Sequence, residues 1–150
     1  MYYADINYCD NKNGPGTRVS LFLSDHIGEP FTLATLFKLD NALEKPNIDG
    51  LSILGGDPFE PENIKMVEAI IEYVRAWHGN SKSIWVWTGY DFIEDGLIDL
   101  PFMKYIDVLV DGRFEEDKKD LTLPYRGSSN QRVIDVKKSL EYGCAIRWKD

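Results

Sequence analysis

One short stretch limits the folds open to this chain more than any other. Leu51–Leu54 is an apolar run of strand length that stops at Gly55-Gly56-Asp57-Pro58, and apolar residues at helical spacing follow as far as Trp77. A strand that turns into a helix is the unit of α/β folds, which bind ligands at the carboxyl ends of their strands. Because glycine has no Cβ, Gly55 and Gly56 let a ligand approach the backbone. A tight turn without a ligand explains the same residues, so both interpretations stay open here.

Length and charge narrow the class of protein. A chain of 150 residues predicts a single domain over residues 1–150. The formal net charge of −8 disfavours a nucleic-acid partner. No apolar run is long enough to cross a bilayer, and the N-terminus has neither the basic region nor the apolar core of a signal peptide. We therefore expect a cytoplasmic protein without a membrane partner.

Strands alternate with helices along the rest of the chain. Strands are predicted at residues 17–24, 51–54, 83–89, 105–112 and 132–136, and helices at 33–43, from about 61 to 78, and 91–98. Thr32 is a good N-cap for the first helix, and Gly79 ends the second. This order predicts an α/β fold with a mostly parallel sheet.

Three of the predicted strands end in residues that suit a ligand. Asp57, Thr88-Gly89 and Asp111 all fall at such ends, and the carboxyl ends of parallel strands share one rim of a sheet. Each segment alone is more often a plain turn. Together they favour a ligand cleft with carboxylates that could hold a cationic amine.

A polar loop and the two cysteines are less specific signals than the strand ends. The loop from Arg126 to Arg132 holds two arginines, two serines and two amides, which could clamp an anion or could form a solvated turn. Cys9 and Cys144 lie near opposite ends of the chain without a metal-binding spacing, so we expect each to be a small buried or half-buried side chain.

Six segments, taken in order, resemble one family. They are Asn13–Arg18, Leu21–Ser24, Gly55–Pro58, Ile84–Tyr90, Val108–Phe114 and Arg126–Gln131. The family is the activating protein of anaerobic (class III) ribonucleotide reductase, a small radical S-adenosylmethionine enzyme. No single segment is decisive, but six in the right order are specific, and they span nearly the whole chain.

The resemblance implies a fold, a reaction and partners. The fold is an open, partial (β/α) barrel. A [4Fe-4S] cluster, held by three cysteines of a CxxxCxxC loop and reduced by a protein such as a flavodoxin, cleaves S-adenosylmethionine to a 5′-deoxyadenosyl radical. That radical takes a hydrogen atom from a glycine of the large subunit of the reductase, which leaves a glycyl radical.

The resemblance also implies which residues would bind S-adenosylmethionine. Gly55, Gly56 and Asp57 would contact its methionine amino end, and Thr88 and Gly89 would line the same pocket. Pro58 and Asp111 are also expected among the cofactor-binding residues. Ser128 and Asn130 would lie near the cofactor or the reductase. None of these residues is expected to be a catalytic acid or base.

The chain departs from the family pattern just after Ser24. The cysteine loop is expected there, but the sequence continues directly with Asp25-His26-Ile27-Gly28, and Cys9 and Cys144 cannot supply three thiolates. The natural protein has the loop although this sequence lacks it, the loop was deleted on purpose, or it is naturally absent. As written, the chain is predicted to bind no cluster and to form no radical. The alternatives to an activase are a non-catalytic regulator that binds the reductase or S-adenosylmethionine, and an unrelated α/β nucleotide-binding module.

Overall fold

The computed structural model describes all residues from 1 to 150 as one seven-stranded sheet with three helices. The strands are β1 (Tyr2–Asp10), β2 (Arg18–Ser24), β3 (Glu29–Pro30), β4 (Gly50–Gly55), β5 (Ser83–Trp87), β6 (Val108–Asp111) and β7 (Arg132–Asp135). The helices are α1 (Leu33–Leu43), α2 (Ile64–His78) and α3 (Val136–Tyr142). No helix is long and apolar enough to span a bilayer.

The sheet is open and mixed. Its strand order is β3-β1-β2-β4-β5-β6-β7. The four central strands, β2, β4, β5 and β6, are parallel, whereas β3, β1 and β7 pair antiparallel at the two sides. The α/β class and the open sheet are confirmed. The expectation of a mostly parallel sheet is corrected, because half of the strand pairs are antiparallel, and the structure does not clearly form a barrel.

Strand β1 is not predicted from the sequence, and the exposure of its side chains explains why. Most of its side chains are exposed, so Tyr2–Asp10 lacks the apolar alternation by which a half-buried strand is recognised. Its backbone pairs with β2 on one side, with irregular register at Tyr3/Asp5 and Asn7/Asp10. On the other side β3 pairs only with Tyr2 and Tyr3, which leaves the rest of that edge uncovered.

Helix signals were read correctly where capping chemistry was present. Thr32 accepts a hydrogen bond from the Thr35 backbone, and the Thr35 hydroxyl accepts one from the Thr32 backbone, which closes the capping box of α1. Helix α2 begins at Ile64, three residues after the predicted start. The helix predicted at 91–98 is wrong, because this segment forms turns and a 3₁₀ turn over Leu97–Asp99. Helix α3 was not predicted.

The core lies between the helices and one face of the sheet. A cluster of 25 buried apolar residues fills this layer. The opposite face carries a smaller group in which Trp85 packs against Tyr125 and Trp148, with ring centroids 5.0 and 4.9 Å apart. Trp148 thus packs on the body of the protein, and one face of the sheet stays free of helices.

Candidate functional site

The carboxyl ends of the four parallel strands meet at one edge, which we call the rim. Strands β2, β4, β5 and β6 end there at Ser24, Gly55, Trp87 and Asp111. The predicted convergence of the strand ends is thus what the structure shows.

Gly55 and Gly56 are required by the close approach of β2. Gly55 has a φ of +96°, and a Cβ there would lie 2.5 Å from the carbonyl oxygen of Leu23. A Cβ on Gly56 would lie 2.8 Å from Asp25 Oδ1 and 3.0 Å from the Ser24 carbonyl carbon. Neither position has room for a side chain, so packing alone accounts for both glycines. The segment that replaces the expected cysteine loop therefore lies directly against Gly56.

Asp57 ties the end of β4 to the end of β5. Its Oδ1 accepts hydrogen bonds from the Thr88 hydroxyl (2.7 Å) and the Phe59 backbone (3.0 Å). Its Oδ2 accepts one from the backbone N–H of Gly89 (2.7 Å). A carboxylate has about four acceptor positions, so Asp57 has at most one left for a ligand. Its main observed role is to hold Thr88 and Gly89 in place.

Asp111 is buried and paired. Its carboxylate accepts hydrogen bonds from Arg132 Nε (3.0 Å), Arg132 Nη2 (2.5 Å) and the Phe92 backbone (2.9 Å). The hydrogen bond with Asp111 raises the pKa of Arg132 against the opposing effect of burial. Asp111 lines none of the rim cavities described below, so the structure gives it a supporting position behind the rim.

The loop from Arg126 to Arg132 is folded around Gln131. The Gln131 side chain accepts from the backbone of Gly127 (2.9 Å) and Ser128 (3.1 Å) and donates to the Gly112 carbonyl (3.0 Å). Ser128 is fully buried and accepts from the Glu115 backbone at 3.2 Å. Asn130 donates to the Arg113 carbonyl at 2.7 Å, and its own Oδ1 is buried without a partner. Ser128 and Asn130 therefore shape the loop and do not line the cavities.

Three adjoining cavities form a groove along the rim. The first has a volume of about 180 Å³ and is lined by Gly55, Asp57, Trp87, Thr88, Gly89, Gly112, Phe114 and Gln131. The second, of about 270 Å³, adds Glu60, Tyr90 and Arg113. The third, of about 400 Å³, continues onto the helix-free face past Lys12, Asn13, Leu54 and Arg126. Four of the nine predicted binding residues thus share one cavity, and Pro58 is buried beside it.

Phe114 is shared by all parts of this groove, although it is not among the residues predicted to bind a ligand. It lines all three cavities and is 50% exposed. Arg113, next to it, is exposed and forms no ion pair in the structure. Across the groove Tyr90 donates a hydrogen bond to Glu60 at 3.1 Å, which raises the pKa of Tyr90. The first two cavities of the groove therefore offer an aromatic face, one cation and two carboxylates, which suit a zwitterionic ligand with a flat ring.

The residues present do not fit an iron–sulfur cluster. Cys9 and Cys144 are both free and exposed, which corrects the prediction that they are buried or half-buried. Neither lines the rim groove, and no group of three or more His, Cys, Asp or Glu side chains could hold a metal ion. Cluster iron is held by cysteine thiolates, so the chain as it stands offers no cluster site.

Comparison with known proteins adds an independent line of argument. The family model of a 4Fe-4S single cluster domain matches residues 24–134. The anaerobic ribonucleoside-triphosphate reductase-activating protein of Enterobacteria phage T4 is 36% identical, in an alignment that covers 89% of this chain and 93% of the relative. Proteins of the same name from Escherichia coli K12 and Vibrio cholerae are 38% and 35% identical, each aligned over 89% of this chain and 97% of the relative.

The alignment with the Escherichia coli protein also shows a difference in length. It extends over 151 residues, which is more than the 89% of this 150-residue chain that it includes. The relative therefore carries residues within the aligned region that this chain lacks.

Proposed function

This chain belongs to the family of anaerobic ribonucleoside-triphosphate reductase-activating proteins, and from that premise we propose that it binds S-adenosylmethionine in the rim groove and docks on an anaerobic ribonucleotide reductase. The radical-forming step is not assigned to this chain, because the thiolates that would hold a cluster are absent from it. The chain thus acts as the cofactor- and reductase-recognising scaffold of an activase.

One observation carries this proposal. Gly55, Asp57, Thr88 and Gly89, which the family resemblance implicates in binding S-adenosylmethionine, line a single cavity. The ligand has a carboxylate and an amine at one end, a sulfonium centre, and an adenine ring at the other. Arg113 suits the carboxylate, Asp57 and Glu60 suit the cationic groups, and Phe114 suits the flat ring. Their assignment to this ligand stays a prediction.

The short segment that stands where the cysteine loop is expected is consistent with excision of that loop. Asp25–Gly28 joins β2 to β3 at the rim, and His26 has a left-handed backbone with a φ of +67°. Such a conformation is uncommon for a residue other than glycine. The segment lies against Gly56, so a longer loop starting at the same point would stand over the proposed S-adenosylmethionine cavity. An electron donor such as a flavodoxin would serve to reduce the cluster, so we propose no such partner for this chain.

Filling the cavity tests the S-adenosylmethionine site. In Gly89→Val, the new Cβ would meet Arg113 Cγ at 3.4 Å and Asp57 Oδ2 at 3.5 Å, which are ordinary contacts. The variant should therefore fold, while its methyl groups occupy space in the first cavity. We expect affinity for S-adenosylmethionine, measured by isothermal titration calorimetry, to fall at least about tenfold.

Two comparisons make the Gly89→Val experiment decisive. Gly89→Ala should give an intermediate loss, and the thermal midpoint of both variants should stay within a few degrees of the parent, or about 1 kcal/mol. Equal affinity in all three proteins would place the ligand elsewhere. No measurable heat with the parent, together with capture of the reductase in a pull-down, would leave only the docking half of the proposal.

Restoring the loop tests the relation to the activases. A CxxxCxxC loop inserted between Ser24 and Gly28, followed by anaerobic reconstitution with iron and sulfide, should produce the absorbance of an iron–sulfur cluster. The unmodified chain, whose mass should match 150 residues, should produce none. The matched control carries the same loop with serine in place of each cysteine. Cluster absorbance in the unmodified chain, or none in the grafted one, would contradict the proposal.

A further inference from the structure

A second cavity lies beyond the rim groove, on the helix-free face. It has a volume of about 270 Å³ and is lined by Pro124, Tyr125, Arg126, Val133, Arg147, Trp148 and Asp150. None of the residues predicted to bind S-adenosylmethionine lines it. It shares only Tyr125 and Arg126 with the nearest part of the rim groove. We call it the tail cavity, because Arg147, Trp148 and Asp150 belong to the C-terminal tail.

The tail cavity has guanidinium groups with free donors. Arg126 uses Nη1 to donate to the Gln131 carbonyl at 2.6 Å, and this is its one hydrogen bond to the protein. Arg147 is exposed and forms no ion pair. Two such groups at one cavity stand out in a chain with a net charge of −8. Guanidinium groups recognise phosphate through paired N–H donors, whereas Asp150 opposes a bare anion that has no other contact.

The aromatic walls of the tail cavity are fixed in place. The rings of Tyr125 and Trp148 lie 6.0 Å apart at 68° to each other, so they form a corner in which a flat ring can lie on one face and meet the other edge-on. Trp85 packs against both rings from below. Because contacts with Trp85 fix both rings, little ordering of the walls would oppose binding.

The backbone at Tyr125 gives a second, independent sign of a ligand site. Its φ of +64° is rare for an aromatic residue. The conformation is held by the Trp87 indole, which donates a hydrogen bond to the Tyr125 carbonyl at 2.7 Å. Uncommon backbone states that the surroundings enforce are concentrated at ligand sites. This one turns the tyrosine ring toward Trp148.

From these observations we infer that the tail cavity binds a mononucleotide. The base lies in the Tyr125–Trp148 corner, and the phosphate meets the guanidinium groups of Arg126 and Arg147. Stacking on an aromatic side chain favours any of the bases, since each has a flat π-face. The volume of about 270 Å³ is just below the range of about 300–1,000 Å³ for ligand pockets, which suits one base and ribose with the phosphates reaching toward solvent. The inference does not depend on the proposed function, because it uses a different cavity.

Calorimetric titration of the full chain with adenosine monophosphate and adenosine triphosphate tests this inference. Inorganic phosphate and adenosine are titrated separately, because both halves of the ligand should be needed for tight binding. Arg147→Gln removes a cation that has no structural partner, so it should fold normally and weaken nucleotide binding at least about tenfold. Lys149→Gln is the matched control, since it removes the same charge from the same exposed tail and should leave affinity unchanged.

The outcomes separate the two cavities. Nucleotide binding that is lost in Arg147→Gln, kept in Arg113→Gln and undisturbed by S-adenosylmethionine supports the tail site. Binding that Arg113→Gln abolishes, or that S-adenosylmethionine displaces, would place the nucleotide in the rim groove and overturn the inference. No binding of either nucleotide at millimolar concentration, or equally tight binding of inorganic phosphate, would overturn it as well. The comparison of Arg147→Gln with Arg113→Gln does not depend on whether S-adenosylmethionine itself binds.

Discussion

Replacing Arg18 with methionine should lower the free energy of unfolding by about 3–5 kcal/mol. Arg18 is fully buried, on the helix-free face of β2. Its guanidinium group donates five hydrogen bonds, to Ser52 Oγ (2.7 Å), Ser83 Oγ (2.8 Å) and the carbonyls of Pro15 (3.3 Å), Leu51 (2.9 Å) and Ser83 (2.9 Å). Methionine fills similar space but satisfies none of these acceptors.

The neighbours of Arg18 show how closely the protein is built around it. A Cβ on Gly50 would lie 2.6 Å from Arg18 Nη2, and a Cβ on Gly14 would lie 2.8 Å from Arg18 Cδ. Burial lowers the pKa of Arg18 to about 10, so the side chain still carries its charge at neutral pH. The charge has no carboxylate in contact and is stabilised by carbonyl and hydroxyl oxygens instead.

Urea unfolding of three proteins measures the effect at Arg18. The conservative variant Arg18→Lys keeps the charge but cannot reach five acceptors, so it should fall between the parent and Arg18→Met. A loss below about 1 kcal/mol in Arg18→Met, comparable to one ordinary hydrogen bond, would mean that water replaces the guanidinium group. In that case Arg18 would not be the anchor that joins β2 to β4 and β5.

Asp111→Asn should destabilise the protein by about 2–4 kcal/mol, because it removes the buried partner of Arg132 and leaves that charge only the longer contact with Asp91 at 3.4 Å. The side chain of Asp111 is 1% exposed and that of Arg132 is 31% exposed. An asparagine keeps the shape but turns one acceptor into a donor that faces the guanidinium group. The Phe92 backbone, which also donates to Asp111, connects this pair to the loop after β5.

A double-mutant cycle separates the ion pair from the rest of the site. We expect Arg132→Met to cost more than Asp111→Asn, because it leaves the buried carboxylate of Asp111 without a cation. The double variant should cost less than the sum of the two single changes, with a coupling above about 1 kcal/mol. Glu116→Gln, an exposed residue, controls for the loss of a surface carboxylate. Strict additivity of the two changes would show that Asp111 and Arg132 do not act as a pair.

Local signals predicted the central part of the fold. The run of Leu51–Leu54, the N-cap at Thr32 and the glycine after His78 each act over a few residues, and β4, α1 and the end of α2 lie where these signals place them. Strand β1 and helix α3 carry weaker local signals, because pairing with β2 and packing against the rest of the chain decide their structure. Sequence periodicity does not report such contacts.

The candidate site, like the fold, can be predicted from sequence where local signals decide it but not where distant contacts do. That Asp57, Thr88 and Gly89 lie together followed from strand order alone, since parallel strands end on one rim. That Asp57 holds the other two, and that Asp111 lies behind the rim with Arg132, depends on hydrogen bonds between residues 20 or more positions apart. Phe114 and Gln131 were missed as lining residues because an exposed aromatic and an amide carry no local sign of a cavity.

The uncovered side of β1 has a consequence for how copies of this protein meet. From Ala4 to Cys9, backbone donors and acceptors face outward without a neighbouring strand, and a flat, unguarded ribbon of this kind recruits further strands. The two irregular steps in its register, at Tyr3/Asp5 and Asn7/Asp10, bend and twist such a ribbon. A second chain that pairs with this edge can therefore form only a few backbone hydrogen bonds before the two strands diverge. The irregular register of β1 thus limits edge-to-edge aggregation.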